Sequence, residues 1–155
     1  MADVVDQNTR SRMMSGIRGK DTKPEVVLRG KLREAGLDYR LHGANLPGKP
    51  DLVLGSRRTV IFVHGCFWHR HEGCHWCSTP SSNADFWAAK FQRNATRDAE
   101  VIGALHSSGW RVAVVWECGL RAPNIEDTTS RLLTWLQTNS DFFESELVRP
   151  RDSTR

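Results

Sequence analysis

The segment from Val63 to Cys74 contains most of the side chains in this chain that could do chemistry. Its twelve positions include three histidines, two cysteines and the pair Phe67-Trp68. Cysteine and histidine are common zinc ligands, histidine is the usual proton-transfer residue, and an exposed aromatic pair suits a flat partner. We therefore expect this segment to combine metal binding, proton transfer and stacking, and the rest of the chain must position it.

The composition favours a cytoplasmic protein with a polyanionic partner. Lys and Arg total 22 against 18 Asp and Glu, which gives a net charge of +4 and a pI near 9.1. The alternative explanation of this charge is an ordinary solvated basic surface. The four cysteines are too scattered for a disulfide framework, and three share a window with histidines, which favours reduced thiols on a metal. The polar N-terminus and the lack of a long apolar run predict a soluble protein with no membrane partner.

Residues 1–21 form a basic, polar segment that we interpret as an N-terminal arm. Two interpretations stay open: a solvated, half-ordered arm, or an arm that folds onto nucleic acid with a methionine wedged between bases. A helix follows, because Thr22 and Glu25 have the spacing of a capping box and Gly36 ends the apolar face. On local grounds Glu25 is a capping residue and nothing more.

Three strands are predicted next, over residues 38–41, 51–54 and 59–64. A short Gly-Ser-Arg-Arg loop between the last two favours an antiparallel hairpin. In such a hairpin the start of the first strand lies beside the end of the second. We therefore expect Asp51 and His64 to be neighbours in space, although they are 13 positions apart in the chain.

The second half is predicted to add a helix over residues 85–106, a strand over 111–118, a helix from Asp127 or Thr128, and a disordered tail over 139–155. The order strand, helix, strand implies a right-handed parallel crossover. The resulting fold class is α/β, a mixed β-sheet with helices on both sides. The long helix carries a polar stripe at helical spacing, and its position after the histidine segment favours phosphate contacts over a merely solvated face. The polar stripe consists of Lys90, Arg93, Asn94 and Arg97.

A structural zinc site needs four nitrogen or sulfur ligands. The candidates are Cys66, His69, His71, Cys74, His75, Cys77 and Cys118. One loop of the chain carries Cys66, His71 and Cys74, and this loop must be attached to the rest of the fold. The fourth ligand could be Cys77, in a local knuckle, or Cys118, at the end of a strand in the sheet. The spacing alone leaves these two open.

Asp51 is a candidate Mg²⁺ ligand, because this ion takes one or two carboxylates together with phosphate oxygens and waters. The carbonyl of Val63 could complete the protein's share. His64 and His69 would then serve as proton acceptor and transition-state stabiliser, in either order. The alternative is a turn carboxylate and a strand-end histidine with structural roles. The predicted adjacency of Asp51 and His64 favours hydrolysis of a phosphodiester.

These residues carry a family resemblance: over roughly residues 8–137 the chain resembles the very short patch repair (Vsr) DNA mismatch endonucleases. The matching residues are Met14, Asp21-Thr22, Glu25, Leu46 to Asp51, Val63 to Trp68, His69, His71, Cys74, Phe86-Trp87, Lys90, Asn94, Arg97, Gly109 to Arg111, and Trp116 to Cys118. The resemblance implies a restriction-endonuclease-like domain over residues 22–138. It also implies a monomer that nicks double-stranded DNA 5′ of the thymine in a T·G mismatch left by deaminated 5-methylcytosine, with repair-pathway proteins as further partners.

The resemblance also implies roles for the candidate residues. Asp51 and the Val63 carbonyl would hold Mg²⁺, while His64, His69 and Glu25 would act around the scissile phosphate. The implied ligands of a structural zinc ion are Cys66, His71, Cys74 and Cys118. The implied DNA wedges are Phe67, Trp68 and Trp87 on the major-groove side and Met14 on the minor-groove side.

One departure separates this chain from the wider nuclease superfamily, which places an acidic residue and a lysine on the second strand of the hairpin. In this chain the corresponding residues are Phe62, Val63 and His64, so a histidine must take the catalytic role that the lysine has in that superfamily. Two other functions remain as alternatives: a non-catalytic, zinc-stabilised DNA-binding module, and a related nuclease with a different target.

Overall fold

A computed structural model describes residues 22–71, 74 and 80–145 of the chain. The predictions for the N-terminal arm, for Met14 and for Cys77 fall outside these residues.

The centre of the fold is a five-stranded mixed sheet whose spatial order follows the chain. The strands are β1 (Arg40–Leu41), β2 (Leu52–Leu54), β3 (Thr59–His64), β4 (Arg111–Trp116) and β5 (Phe142–Glu144). The first three pair antiparallel, and β3, β4 and β5 pair parallel. The predicted hairpin and the predicted parallel crossover are therefore confirmed.

In the described part of the chain, three helices cover the two faces of this sheet: α1 (Lys23–Glu34), α2 (Ala84–Ser107) and α3 (Ile125–Leu136). Apolar side chains of α1 and α3 form one core cluster with one face of the strands, and the apolar side of α2 packs into a second cluster on the other face. The predicted fold class, a mixed α/β sheet with helices on both sides, is confirmed. Among the residues that the structure describes, no helix is long and apolar enough to cross a membrane.

The helix boundaries follow local sequence signals closely. At the start of α1 the backbone amide of Thr22 donates to Glu25 Oε2 at 3.2 Å, so the predicted capping box is present. Gly36, at φ +78, follows the end of that helix. The predicted helix over 85–106 is confirmed to within one residue at each end, while α3 begins at Ile125, slightly before its predicted start.

The expectation of a disordered tail from residue 139 is wrong as far as Ser145. Phe142–Glu144 pairs with β4, and flanking backbone bonds extend the pairing. The physical reason is that Phe142 and Phe143 pack on opposite core clusters, one on each face of the sheet. The domain therefore continues past the predicted boundary at residue 138, and residues 146–155 lie outside the described part.

Candidate active site and metal centre

A cavity of about 420 Å³ opens between the end of β3, the turn before β2 and the side of α2. Its lining brings together the carboxylate of Asp51 and the imidazoles of His64 and His69. Lys90 and Arg97 of the polar stripe line the same cavity. A cavity of this size, with a carboxylate, two imidazoles and cationic walls, suits an anionic substrate.

Asp51 lies one residue before β2, and its Oδ2 accepts a hydrogen bond of 2.7 Å from the amide of Val63. The antiparallel register, Leu52 opposite Ile61, places it beside the end of β3. Asp51 and His64 therefore lie at the same end of the hairpin and line one cavity, as the sequence predicted. Burial raises the pKa of Asp51 to about 7, with a further rise from the Glu25 carboxylate and an opposing effect of the Val63 amide.

Glu25 and His42 complete a cluster with Asp51, in which one ligand atom of each lies within 4.8 Å of the others. Glu25 is 3% exposed, so its side chain lies deep beside the cavity as well as capping α1. His42, at the end of β1, was missed by the sequence analysis. The antiparallel pairing of β1 with β2 could have identified it, because this pairing places His42 opposite Asp51. The backbone amide of His42 donates to the carbonyl of Asp51 at 3.0 Å.

The two histidines of the cavity form a stacked pair. The ring centroids of His64 and His69 are 3.9 Å apart, and the ring planes differ by 6°. His69 Nδ1 lies 2.6 Å from Asp98 Oδ2, and because an ionised carboxylate only accepts, Nδ1 donates and Nε2 can face the cavity. Burial, together with the neighbouring His69, lowers the pKa of His64 to about 3. Asp98 was also missed, although it directly follows Arg97 of the polar stripe.

The three predicted major-groove wedge residues meet in an aromatic cluster at the start of α2. Phe67 contacts Trp68 and Trp87 edge-on, at centroid distances of 5.0 and 5.7 Å. Trp87 is only 8% exposed and packs against Phe91, whereas Phe67 and Trp68 are half-buried. The structure therefore presents Phe67 and Trp68 at the surface of this cluster, with Trp87 behind them.

The polar stripe divides between the cavity and the outer surface. The ammonium of Lys90 lies 5.9 Å from the ring of Trp68, and Asn94 Nδ2 donates to the Trp68 carbonyl at 3.0 Å. Asn94 thus fastens the histidine segment to α2. Arg93 is exposed and does not line the cavity.

A second cluster consists of four buried residues: Cys66, His71, Cys74 and Cys118. Their ligand atoms lie within 4.8 Å of one another, and His71 Nδ1 is 3.5 Å from Cys118 Sγ and 3.8 Å from Cys66 Sγ. A tetrahedral ion with bonds of about 2.3 Å to sulfur and about 2.0 Å to nitrogen spaces such atoms about 3.5 Å apart. The four residues therefore fit a structural metal site, and the structure brings Cys118, one of the two open candidates, into it.

Trp116, the last residue of β4, lies between the metal centre and the cavity. Its indole stacks on His71 at 4.1 Å with planes 4° apart, and it contacts His64 edge-on at 5.2 Å. The indole Nε1 donates to Glu144 Oε2 of β5 at 2.7 Å, and the backbone amide donates to Ser145 Oγ at 2.8 Å. The fifth strand, missed in the sequence, therefore supports both sites through one tryptophan.

A mixed α/β sheet that gathers a carboxylate, two imidazoles and cationic side chains in one cavity is typical of an enzyme that acts on anionic substrates, and the separate Cys/His cluster could hold a metal ion. Comparisons with known proteins agree. The family model described as DNA mismatch endonuclease Vsr matches residues 2–76. The chain is 44% identical over 139 residues to the DNA mismatch endonuclease Vsr of Escherichia coli (strain K12), with 88% of each chain covered.

Nicking enzymes are also similar to this chain. It is 47% identical over 120 residues to the type II nicking enzyme V.XorIIP of Xanthomonas oryzae pv. oryzae, covering 77% of this chain and 88% of the relative. The chain belongs to the DNA mismatch endonuclease Vsr family. The predicted family is thereby confirmed, and with it the prediction of a DNA endonuclease. The catalytic domain of homing endonuclease I-Bth0305I is a more distant likeness, with a TM-score of 0.49 and 21% identity over 75% of this chain and 94% of that one.

Proposed function

We propose that this protein nicks one strand of double-stranded DNA 5′ of the thymine in a T·G mismatch left by deamination of 5-methylcytosine. The observation that carries the proposal is the single cavity in which Asp51, His64 and His69 face the cationic residues of α2. The family relationship supplies DNA as the substrate class, and the name of the Escherichia coli relative supplies the mismatch. The protein acts as a monomer in the cytoplasm and has repair-pathway proteins as further partners.

The cavity suits Mg²⁺, which would be held by the carboxylate of Asp51 and the carbonyl of Val63. The fit rests on charge and donor type: Asp51 is buried beside a second carboxylate, Glu25, and both offer the hard oxygen ligands that this ion prefers. When bound, the ion supplies Lewis-acid stabilisation of the phosphate and a more acidic water. Val63 would bind the ion through its backbone carbonyl, so its apolar side chain does not prevent it from acting as a ligand.

Proton transfer and charge stabilisation around the scissile phosphate come from His64, His69 and Glu25. His69, whose Nδ1 is held by Asp98, presents Nε2 to the cavity as the proton acceptor. His64, stacked on His69, then faces the phosphate and stabilises its developing charge. Glu25 orients water beside Asp51.

The second cluster holds a structural zinc ion. Three thiolates and one imidazole are a closed zinc ligand set, and their spacing matches a tetrahedral ion. The ion fastens the histidine segment to the end of β4, which keeps His64 and His69 in place. The proposed ligands are Cys66, His71, Cys74 and Cys118.

DNA binding combines a wedge with phosphate contacts. Phe67 and Trp68, at the surface of the aromatic cluster, enter the stack at the mismatch, where unstacking costs least, and Trp87 supports them from behind. Met14, from the N-terminal arm, enters from the minor groove. The proposed phosphate contacts come from Lys90, Arg93, Asn94 and Arg97.

The test is a nicking assay on three duplexes of one sequence, carrying T·G, another mismatch or only paired bases, at equal salt. We expect the wild type with Mg²⁺ to nick the T·G duplex, and Asp51→Ala to abolish nicking while zinc content and DNA binding persist. Asp38→Ala, at an exposed carboxylate, is the matched control and should nick normally.

Three results would contradict the proposal. If Asp51→Ala still nicks the T·G duplex, Asp51 is not an essential ligand of Mg²⁺. Equal cleavage of paired DNA would indicate a nuclease with a different target. Binding without Mg²⁺-dependent cleavage of any duplex would indicate a non-catalytic module.

A further inference from the structure

Arg70 stands between His69 and His71 in the chain but belongs to neither the cavity nor the cysteine–histidine cluster. Its half-buried side chain reaches α2, where the guanidinium carbon lies 4.1 Å from the centroid of the Phe91 ring. The same guanidinium lies 5.7 Å from the centroid of the Phe67 ring, and Nη1 donates to the Phe67 carbonyl at 3.4 Å. Arg70 therefore contacts both the ring and the backbone of the first wedge residue.

Phe91 gives these contacts a buried support. It is 9% exposed, stacks against Trp87 at a centroid distance of 5.7 Å, and meets Phe67 edge-on at 5.2 Å. A guanidinium over an aromatic ring is attracted by the negative charge of the ring face. Arg70 thus connects the half-buried Phe67 to a ring that the packing of α2 already holds.

The backbone around Arg70 is fixed as well. Arg70 has φ +57, a left-handed conformation that a residue other than glycine keeps only where the surrounding structure holds it. The amide of His69 donates to the Gly65 carbonyl at 3.1 Å, and the amide of His71 donates to the Cys66 carbonyl at 3.0 Å. The turn is therefore closed by hydrogen bonds on both sides of Arg70.

A cation beside a DNA wedge can either bind a phosphate or hold the wedge in place. A phosphate contact adds affinity for any duplex, because it carries no sequence information. The contacts within the protein favour the second role, since the guanidinium already lies over Phe91 and donates to the carbonyl of Phe67.

We propose that Arg70 is a positioning residue of the DNA wedge, which holds Phe67 against Phe91 so that the Phe67 ring meets the mismatch already oriented. The inference rests on the proposed function, which makes Phe67 a wedge. A side chain that is ordered before binding loses less conformational entropy when it binds. Because unstacking costs least at a mismatch, a loosened wedge should lose affinity for the T·G duplex and not for paired DNA.

Two measurements on the zinc-loaded full chain test the inference, both without Mg²⁺ so that no strand is cut. The first compares affinity for a T·G duplex with affinity for a paired duplex of the same sequence at equal salt. The second follows the fluorescence of 2-aminopurine placed beside the mismatched thymine, which rises when the base loses its stacking. Arg70→Met keeps the aliphatic stem and removes the cation, so the preference for T·G should fall about tenfold and the fluorescence rise should shrink.

Three further variants sharpen the test. Phe91→Leu removes the aromatic support, and the double variant with Arg70→Met should lose less preference than the sum of the two single losses. Arg70→Gly removes the whole side chain while tolerating the positive φ, so it decides if Arg70→Met loses zinc. Arg33→Met is the matched control: Arg33 is exposed on α1, donates to Tyr39 Oη at 2.6 Å, and should not be needed for the preference.

The inference is overturned by any of three results. Equal weakening of both duplexes would identify Arg70 as a phosphate contact. Full preference for T·G in Arg70→Met and Arg70→Gly would show that the wedge needs no such support, and additive losses in the double variant would show that Arg70 does not act through Phe91. Failure of the proposed function looks different, because the wild type itself would then show no preference for T·G and the inference would fall with it.

Discussion

Arg111, the first residue of β4, joins the end of α3 to the sheet, and Arg111→Met removes that link while keeping an aliphatic side chain. Its guanidinium donates to the carbonyl oxygens of Trp135, Thr138 and Ser140 at 3.0, 3.0 and 2.9 Å. These carbonyls belong to the last turn of α3 and to the connection that leads into β5. The guanidinium also lies 4.1 Å above the ring of Trp135.

The expected loss of stability follows from these contacts. Each of the three short hydrogen bonds contributes about 0.5–1.5 kcal/mol net, and the contact with the indole adds about 0.5–1 kcal/mol at a partly exposed position. Water can reach the freed carbonyls near the surface, so we take the lower part of the sum, about 2–3 kcal/mol. For a chain of this size that corresponds to a fall in Tm of roughly 5–10 °C.

Urea unfolding followed by circular dichroism measures the change, and Arg131→Met is the control. Arg131 lies on α3 and pairs with Asp127 at 2.9 Å on an exposed face, a contact that contributes about 0.3–0.5 kcal/mol. Hydrogen exchange should show the loss concentrated in β5. If Arg111→Met loses no more stability than Arg131→Met, or if β5 keeps its protection, the guanidinium does not hold this connection.

Three further predictions concern the site. Asp98→Asn should lower kcat by about 10²–10⁴-fold with little change in KM, because an amide can hold His69 in the wrong tautomer. An unchanged rate of single-turnover nicking would show that the contact between Asp98 and His69 does not contribute to catalysis. Cys118→Ala should reduce bound zinc and lower Tm, and wild-type zinc content by metal analysis would exclude it as a ligand. Glu144→Gln weakens the acceptor of the Trp116 indole, so zinc transfer to a chelator should speed up, whereas an unchanged rate would mean that β5 does not support the metal centre.

The parts of the fold that the sequence predicted are those with local causes. The capping box at Thr22 and Glu25, the hairpin between β2 and β3, and the apolar face of α2 each depend on residues close together in the chain. The strand β5 was missed because only three residues pair, and what holds them is the edge of β4 and the two core clusters. That information is tertiary, and no window around Phe142 contains it.

The residues of the candidate site also fall into those that local strand pairing relates and those that only tertiary packing brings together. Asp51 and His64 could be paired because a hairpin register relates them, whereas Asp98 reaches His69 from 29 positions away, across the packing of α2 on the sheet. His42 could have been found by extending the hairpin register one residue past β1. The choice between Cys77 and Cys118 could not be made from spacing, since it depends on where β4 ends in space.

The proposed metal centre and the cavity share one tryptophan, through which a zinc ion would affect the position of His64. Trp116 stacks on His71 on one side and meets His64 edge-on at the other, while Glu144 fixes its indole nitrogen. An ion bound to Nδ1 of His71 would hold the ring in this stacked position. Loss of the ion should therefore loosen Trp116, and His64 with it, before the sheet itself unfolds. An ion bound at this proposed site would stabilise the fold and would also set the position of His64, the proposed catalytic imidazole.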